Sequence, residues 1–242
     1  MLDNHKKLVS KIKKPAVKAV IFDLDDTLWP LFPLIHDAER ALFDWLQLNA
    51  PRIAERHTIE SMRSLRQQLV PTDARFTYDL WALRHAMLTQ LFSAEETDAG
   101  RVRHLSDTAM QVFAKARNQV SLYQDVRPVL NELDQSFKLG TISNGFADLN
   151  EIGLAKHFQV NLAAHQFGCA KPDPRIFRAA CSALQVEPGQ TVYVGDDVLI
   201  DVQGAKRAGL QSVWLNRAGR LADHEADYAC RDMRELLLWL QK

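Results

Sequence analysis

The chain has 242 residues, 47% hydrophobic and 25% charged, which suits one large domain or a domain carrying an insertion and excludes disorder over most of its length. Thirty basic and thirty acidic residues cancel, so no net field draws nucleic acid or anionic lipid, and any anionic ligand must be held by local charges. No stretch nears the roughly 18 apolar residues of a membrane span, and the start, "MLDNHKKLVSKIKKP", lacks a signal-peptide core.

Lys6, Lys7, Lys11, Lys13 and Lys14 are expected to form a solvated terminus. Cys169, Cys181 and Cys230 have no metal-finger spacing, which points to reduced core thiols in a cytoplasmic protein. After Pro15, the run Val17, Ala19, Val20, Ile21 and Phe22 predicts a strand buried on both faces of a parallel sheet. It leads straight into Asp23, Asp25, Asp26 and Thr27, and "LWPLFPLI" (28–35), with two prolines, predicts a stiff connection.

Residues 31–117 carry no strand signal. Amphipathic helical stretches follow one another there, "HDAERALFDWLQL", "IESMRSLRQQL", "YDLWALRHAMLTQLF" and "RVRHLSDTAMQVFAKAR". From about 118 strands and helices alternate: "FKLGTISNG", "FQVNLAAH", "QTVYVGDD" and "LQSVWLN" read as strands, separated by the helical "VRPVLNELDQS", "ADLNEIGLAKHF", "DPRIFRAACSALQ" and "LIDVQGAKRAG". Asp173 with Pro174 is placed to start the third of these helices, and Gly209 to stop the fourth. The expected architecture is α/β, a Rossmann-like open and mainly parallel sheet formed by 1–30 and 118–242, interrupted by a helical insertion over 31–117.

In an open α/β sheet ligands sit at the carboxyl ends of the strands. The first strand brings Asp23, Asp25 and Thr27 there, the second Ser143, Asn144 and Gly145, the third is followed by Lys171, and the fourth brings Asp196 and Asp197, with Asp201 just beyond. Two carboxylates about 4 Å apart repel by roughly 4 kcal/mol at an effective dielectric near 20, so this cluster calls for protons or a divalent cation, and a hard, oxygen-ligated ion such as Mg²⁺ suits it. A cation facing a lysine, a hydroxyl and backbone amides makes a phosphoryl site. There Asp23 can act as nucleophile through an aspartyl phosphate, and Asp25, two residues on, as general acid and base.

With all four stretches in order, the chain resembles the haloacid dehalogenase-like hydrolase superfamily. Asp23, Asp25 and Thr27 meet its DxDxT motif, Ser143 in "TISNG" its second, Lys171 its third, and the acids of "VYVGDDVLID" its fourth. The resemblance implies Mg²⁺ on the side chains of Asp23 and Asp196 and the backbone carbonyl of Asp25. It implies phosphate held by Thr27, Ser143, Asn144 and Lys171, with Asp197 and Asp201 supporting metal and lysine, and an α-helical cap over 31–117. Within the superfamily the chain looks most like bacterial phosphatases of flavin mononucleotide and of the phosphorylated ribitylaminouracil of riboflavin synthesis. The expected activity is hydrolysis of a small phosphorylated metabolite.

Taken singly, each motif has a plainer reading: a lone Asp-x-Asp solvates a strand end, Ser143-Asn144-Gly145 is a turn, and Asp196 and Asp197 cap the next helix. A phosphomutase, a dehalogenase and a phosphoryl-accepting signalling module remain alternatives on these residues. In the insertion Phe76, Tyr78, Asp79, Trp81 and Arg84 are candidates for contact with a leaving group, although aromatics at that spacing favour a core. Trp29 and Phe32 lie beside the catalytic loop, and no histidine pair has metal spacing.

Overall fold

Ala19–Phe22 form β1, and all four residues are completely buried in the computed structural model, which describes residues 16–221 and 225–242. The amino-terminal lysines, Lys6 to Lys14, lie outside the described residues. The other strands are β2 (Lys138–Ser143), β3 (Val160–Ala163), β4 (Thr191–Gly195), β5 (Gln211–Leu215) and β6 (Tyr228–Cys230). They join in the order β3-β2-β1-β4-β5-β6, and every neighbouring pair is parallel. The sheet expected as mainly parallel is therefore parallel throughout.

Alternation along β1 divides its side chains between two layers. Val20 and Phe22 join Val192, Val194, Leu139 and Val213 under α6 (Val126–Leu133) and α11 (Met233–Leu240). Ala19 and Ile21 face the opposite layer with Tyr193, against Phe177 and Ala180 of α9 (Pro174–Ala183) and Ala205 and Ala208 of α10 (Gln203–Ala208). Both faces of β1 are thus apolar, which is why its sequence shows no polar alternation.

Between β1 and α6 run five helices: α1 (Leu31–Asn49), α2 (Pro51–Arg56), α3 (Ile59–Leu69), α4 (Leu80–Ser93) and α5 (Ala99–Arg117). They bury an apolar cluster of their own, including Leu42, Leu46, Leu88, Phe92, Met110 and Phe113. Of the stiff connection expected over 28–35, residues 31–35 are in fact the start of α1, with Pro30 just before it. Pro33 fits there because the first-turn N–H groups have no helical partner to lose.

Asp173 caps α9 by accepting from Arg175 N at 2.9 Å with Pro174 at the first position, and Gly209 ends α10 in the left-handed region at φ 91°. "ADLNEIGLAKHF" yields the short α7 (Leu149–Ile152) and a 3-10 turn at Ala155–His157 in place of one helix, because Gly153 turns left-handed at φ 77° and stops α7. The remaining short helix is α8 (Ala164–Phe167). Cys169, Cys181 and Cys230 are free and buried, and no helix among the described residues is long and apolar enough to cross a membrane.

Candidate active site

Strand order reverses direction at β1, whose neighbours are β2 on one side and β4 on the other. That switch point opens a crevice at the carboxyl ends, where the strand-end residues meet. Asp23 follows β1 directly, its N–H donating to Val194 O at 2.9 Å, so its carboxylate stands level with the end of β4. A cavity of about 520 Å³ covers this edge. Asp23, Asp25, Asp26, Ser143, Asn144, Lys171, Asp196, Asp197 and Asp201 line it from the sheet side, and Leu31, Ile35, Arg66, Leu80, Arg84 and Arg117 from the helical insertion.

Lys171 is the hub. Buried to 4% exposure, its ammonium donates to Asp23 Oδ1 at 2.5 Å, Asp201 Oδ1 at 2.7 Å and the Tyr193 hydroxyl at 2.9 Å, which uses all three of its protons. Burial works against its charge, yet the attraction of Asp201 and Asp23 wins and raises its pKa above the ordinary lysine value. Asp201 takes a further hydrogen bond from Asp197 N at 3.0 Å and lies so close to Gly195 that a Cβ there would come within 2.3 Å of its carboxyl. Glycine at 195 is what lets the buried carboxylate approach the strand end.

Asp23 is held on its other oxygen by the Thr27 hydroxyl at 3.2 Å. Thr27 is completely buried and absent from the cavity wall, so it sits behind the carboxylate and orients it, where the sequence reading had placed it among the phosphate ligands. Burial first, then the neighbouring Asp201 and Asp25 against the pull of Lys171, pushes the Asp23 carboxyl up to about 8. Asp196 is raised to about 6 by burial and by Asp201 and Asp26, with Arg220 opposing at 3.2 Å. Oxygens of Asp23, Asp196 and Asp201 lie within 4.8 Å of one another. Three hard oxygen donors so placed fit a divalent cation, whose charge would favour the ionised forms of Asp23 and Asp196. The sequence had set Asp201 in the supporting layer, whereas its carboxylate is a member of this cluster.

Ser143 and Asn144 both reach the cavity, but with different loads. Ser143 Oγ accepts from Gly145 N at 2.9 Å. The Asn144 amide clamps the backbone of Lys171, accepting from its N–H at 2.8 Å and donating to its carbonyl at 3.0 Å, which fixes the lysine loop against β2. Asp197 accepts from Leu199 N and Ile200 N, both at 2.8 Å, so the capping role proposed for it from sequence holds, while Asp196 does not cap. Asp25 lines the cavity but is not one of the three clustered carboxylates. Trp29 Nε1 donates to it at 2.8 Å, and Arg117 Nη2 bridges both its oxygens at 2.6 and 2.8 Å.

A family model, haloacid dehalogenase-like hydrolase, matches residues 17–209. The chain belongs to that family. Among curated relatives, this haloacid dehalogenase-like hydrolase is 33% identical over 204 residues to the 5-amino-6-(5-phospho-D-ribitylamino)uracil phosphatase YigB of Escherichia coli, covering 82% of this chain and 83% of that one. Among solved structures, that of 2-haloacid dehalogenase from Pseudomonas syringae is 35% identical, with a TM-score of 0.88 over 93% of this chain and 100% of that one. YfnB of Bacillus subtilis, whose structure holds magnesium, shares the fold at 19% identity and a TM-score of 0.66, covering 94% and 100%.

Sequence reasoning missed three guanidinium groups that line the cavity of this hydrolase, Arg66, Arg117 and Arg220. Arg117, 92 positions from Asp25, ends α5, and a basic last turn in a helix is too common to flag it. Arg66 shares the buried carboxylate of Glu39 with Arg63 and Arg84 at 3.5, 2.5 and 3.8 Å. Of the named candidates in the insertion, only Arg84 lines the cavity. It lies 3.7 Å over the Phe113 ring, makes no hydrogen bond among the described residues, and is pulled down to about 9 by burial and by Arg66, with Glu39 opposing. Trp81 packs edge-on against Phe146 and Phe76 is buried, so for these two aromatics the core reading stands, while Asp79 caps α4. Trp29 is buried beside Asp25, whereas Phe32 is 80% exposed and off the cavity.

Proposed function

We propose that this hydrolase is a Mg²⁺-dependent phosphomonoesterase acting on a small phosphorylated metabolite through an aspartyl phosphate on Asp23. The observation that carries this reading is the Asp23 carboxylate, fixed between Lys171 and Thr27 on the cavity wall beside Asp196 and Asp201. In the first step an Asp23 oxygen attacks phosphorus while the ester oxygen leaves with the proton of Asp25. In the second, Asp25 takes a proton from water, whose oxygen attacks phosphorus and releases Asp23 and inorganic phosphate. The Ser143 hydroxyl and the strand-end backbone hold the phosphoryl oxygens, and the positive charge of Lys171 attracts them. The side chains of Asp23 and Asp196 and the carbonyl of Asp25, with Asp201 alongside, would hold Mg²⁺, which supplies positive charge against the phosphate and the carboxylates.

Residues 31–117 then serve as a cap that shields the reaction from water. Arg66 and Arg84 face the leaving group from that side. Their donors suit the carbonyl edge of a flavin or uracil ring, which favours flavin mononucleotide or ribitylaminouracil phosphate, the compound named for the Escherichia coli relative. Phosphate release from a metabolite panel in Mg²⁺, ranked by kcat/KM, tests this. No turnover of any member refutes the phosphatase reading, and a low rank for both named esters refutes the substrate.

The Pseudomonas syringae relative keeps a second reading, carbon-halogen hydrolysis, in view. That reaction needs no acid for its leaving group, and Asp25, held on the cavity by two donors, argues against it. Halide release from 2-haloacids exceeding phosphate release from the panel would reverse the choice.

A further inference from the structure

The last turn of the return helix α5 delivers one guanidinium into the buried edge of the site. Arg117 is 2% exposed and spends its Nη2 on both oxygens of Asp25, which Trp29 Nε1 holds from another direction. A single guanidinium nitrogen bridging both oxygens, with the buried Nη1 unpaired among the described residues, ties the carboxylate to the end of α5 by a charge-assisted contact. Gly145, at the end of β2, closes the other side: a Cβ there would stand 3.0 Å from Asp25 Oδ2 and 3.4 Å from Arg117 Nη2. Three segments therefore converge on the Asp25 carboxyl, and one of them belongs to the insertion.

We propose that Arg117 is a positioning residue for proton transfer: it aims Asp25 at the leaving oxygen and balances the carboxylate that remains once the proton has gone. This rests on the phosphomonoesterase reading above and deepens it. As the leaving oxygen takes the Asp25 proton, negative charge grows on the two oxygens that Arg117 faces, so the pair strengthens along that step. In the second step the same carboxylate accepts a proton from water and the pair weakens again. Because Arg117 ends α5, the geometry that permits proton transfer depends on where the insertion sits.

Leaving-group dependence separates this role from a merely structural one. An aryl phosphate such as para-nitrophenyl phosphate expels a weakly basic oxygen and gains little from an acid, whereas an alkyl phosphate such as glycerol 3-phosphate needs one, and general acid catalysis is worth about 100- to 10,000-fold. The ratio of alkyl to aryl kcat/KM, which reports the leaving-group step and not the hydrolysis that both esters share, should fall at least about tenfold in Arg117→Gln and recover in part in Arg117→Lys, which keeps the charge and loses the planar guanidinium. Asp25→Asn should show the same selective loss, and Arg117→Gln added to it should cost little more.

Equal losses on both esters, or losses that multiply in the double variant, would overturn the proposal. If wild-type protein cleaves neither ester nor any panel member, the phosphomonoesterase reading fails first. Should Arg117→Gln fold poorly, the Arg117→Lys ratio alone decides: an unchanged ratio is contrary to the proposal.

Discussion

Carboxyl groups at 23 and 196 carry most of the electrostatic strain of the site. Their ordinary value is 3.8, and burial with neighbouring acids moves them to about 8 and about 6. Between about pH 4 and pH 8 the folded protein therefore keeps protons that the unfolded chain has released, and the metal-free protein loses stability as pH climbs through that window. Mg²⁺ favours the ionised carboxylates and should raise Tm by several degrees near pH 8 and far less near pH 5, as thermal melts with and without the ion would show. An equal gain at both pH values contradicts the charge argument. At this scale the sequence was most legible. Asp23, Asp25, Ser143, Asn144, Lys171 and the acids at 196, 197 and 201 were named from strand ends alone, and all line one cavity. Thr27 was read too literally, because spacing tells which residues are near a strand end and not which side of a carboxylate they occupy.

Among the elements, β4 and the turn after it are the least tolerant of change. A methyl group at Gly195 would overlap the Asp201 carboxyl, so Gly195→Ala should cost about 1–3 kcal/mol and loosen Lys171 from one of its three acceptors. A fall in Tm together with reduced kcat is the expected result, and a fully active, equally stable variant would show that Asp201 can move without consequence. Element boundaries were legible where a cap or a glycine marks them, as at Asp173 and Gly209. β6 and α11 gave no usable signal. Three residues, Tyr228, Ala229 and Cys230, are too few to establish a period, and the strand exists because β5 offers it an edge.

Across the whole molecule, the insertion and the sheet meet around the cavity through Arg117 on Asp25 and Trp81 on Phe146, the latter edge-on at 5.3 Å. Trp81→Ala should therefore raise KM for esters with bulky leaving groups more than for small ones, by about tenfold, with kcat less affected, and steady-state kinetics on a ring-bearing and a small ester would check it. Neither contact could be read from the chain, because both join residues far apart in sequence, and periodicity reports only which face of a helix is apolar. The central claim is that Asp23 becomes esterified by phosphate. Rapid quenching during turnover, borohydride reduction of the acyl phosphate and peptide mapping test it most directly. The account predicts homoserine at position 23, dependent on substrate and Mg²⁺ and absent in Asp23→Asn, which should lose activity on the order of a thousandfold or more. Modification at another residue, or wild-type turnover by Asp23→Asn, would contradict it.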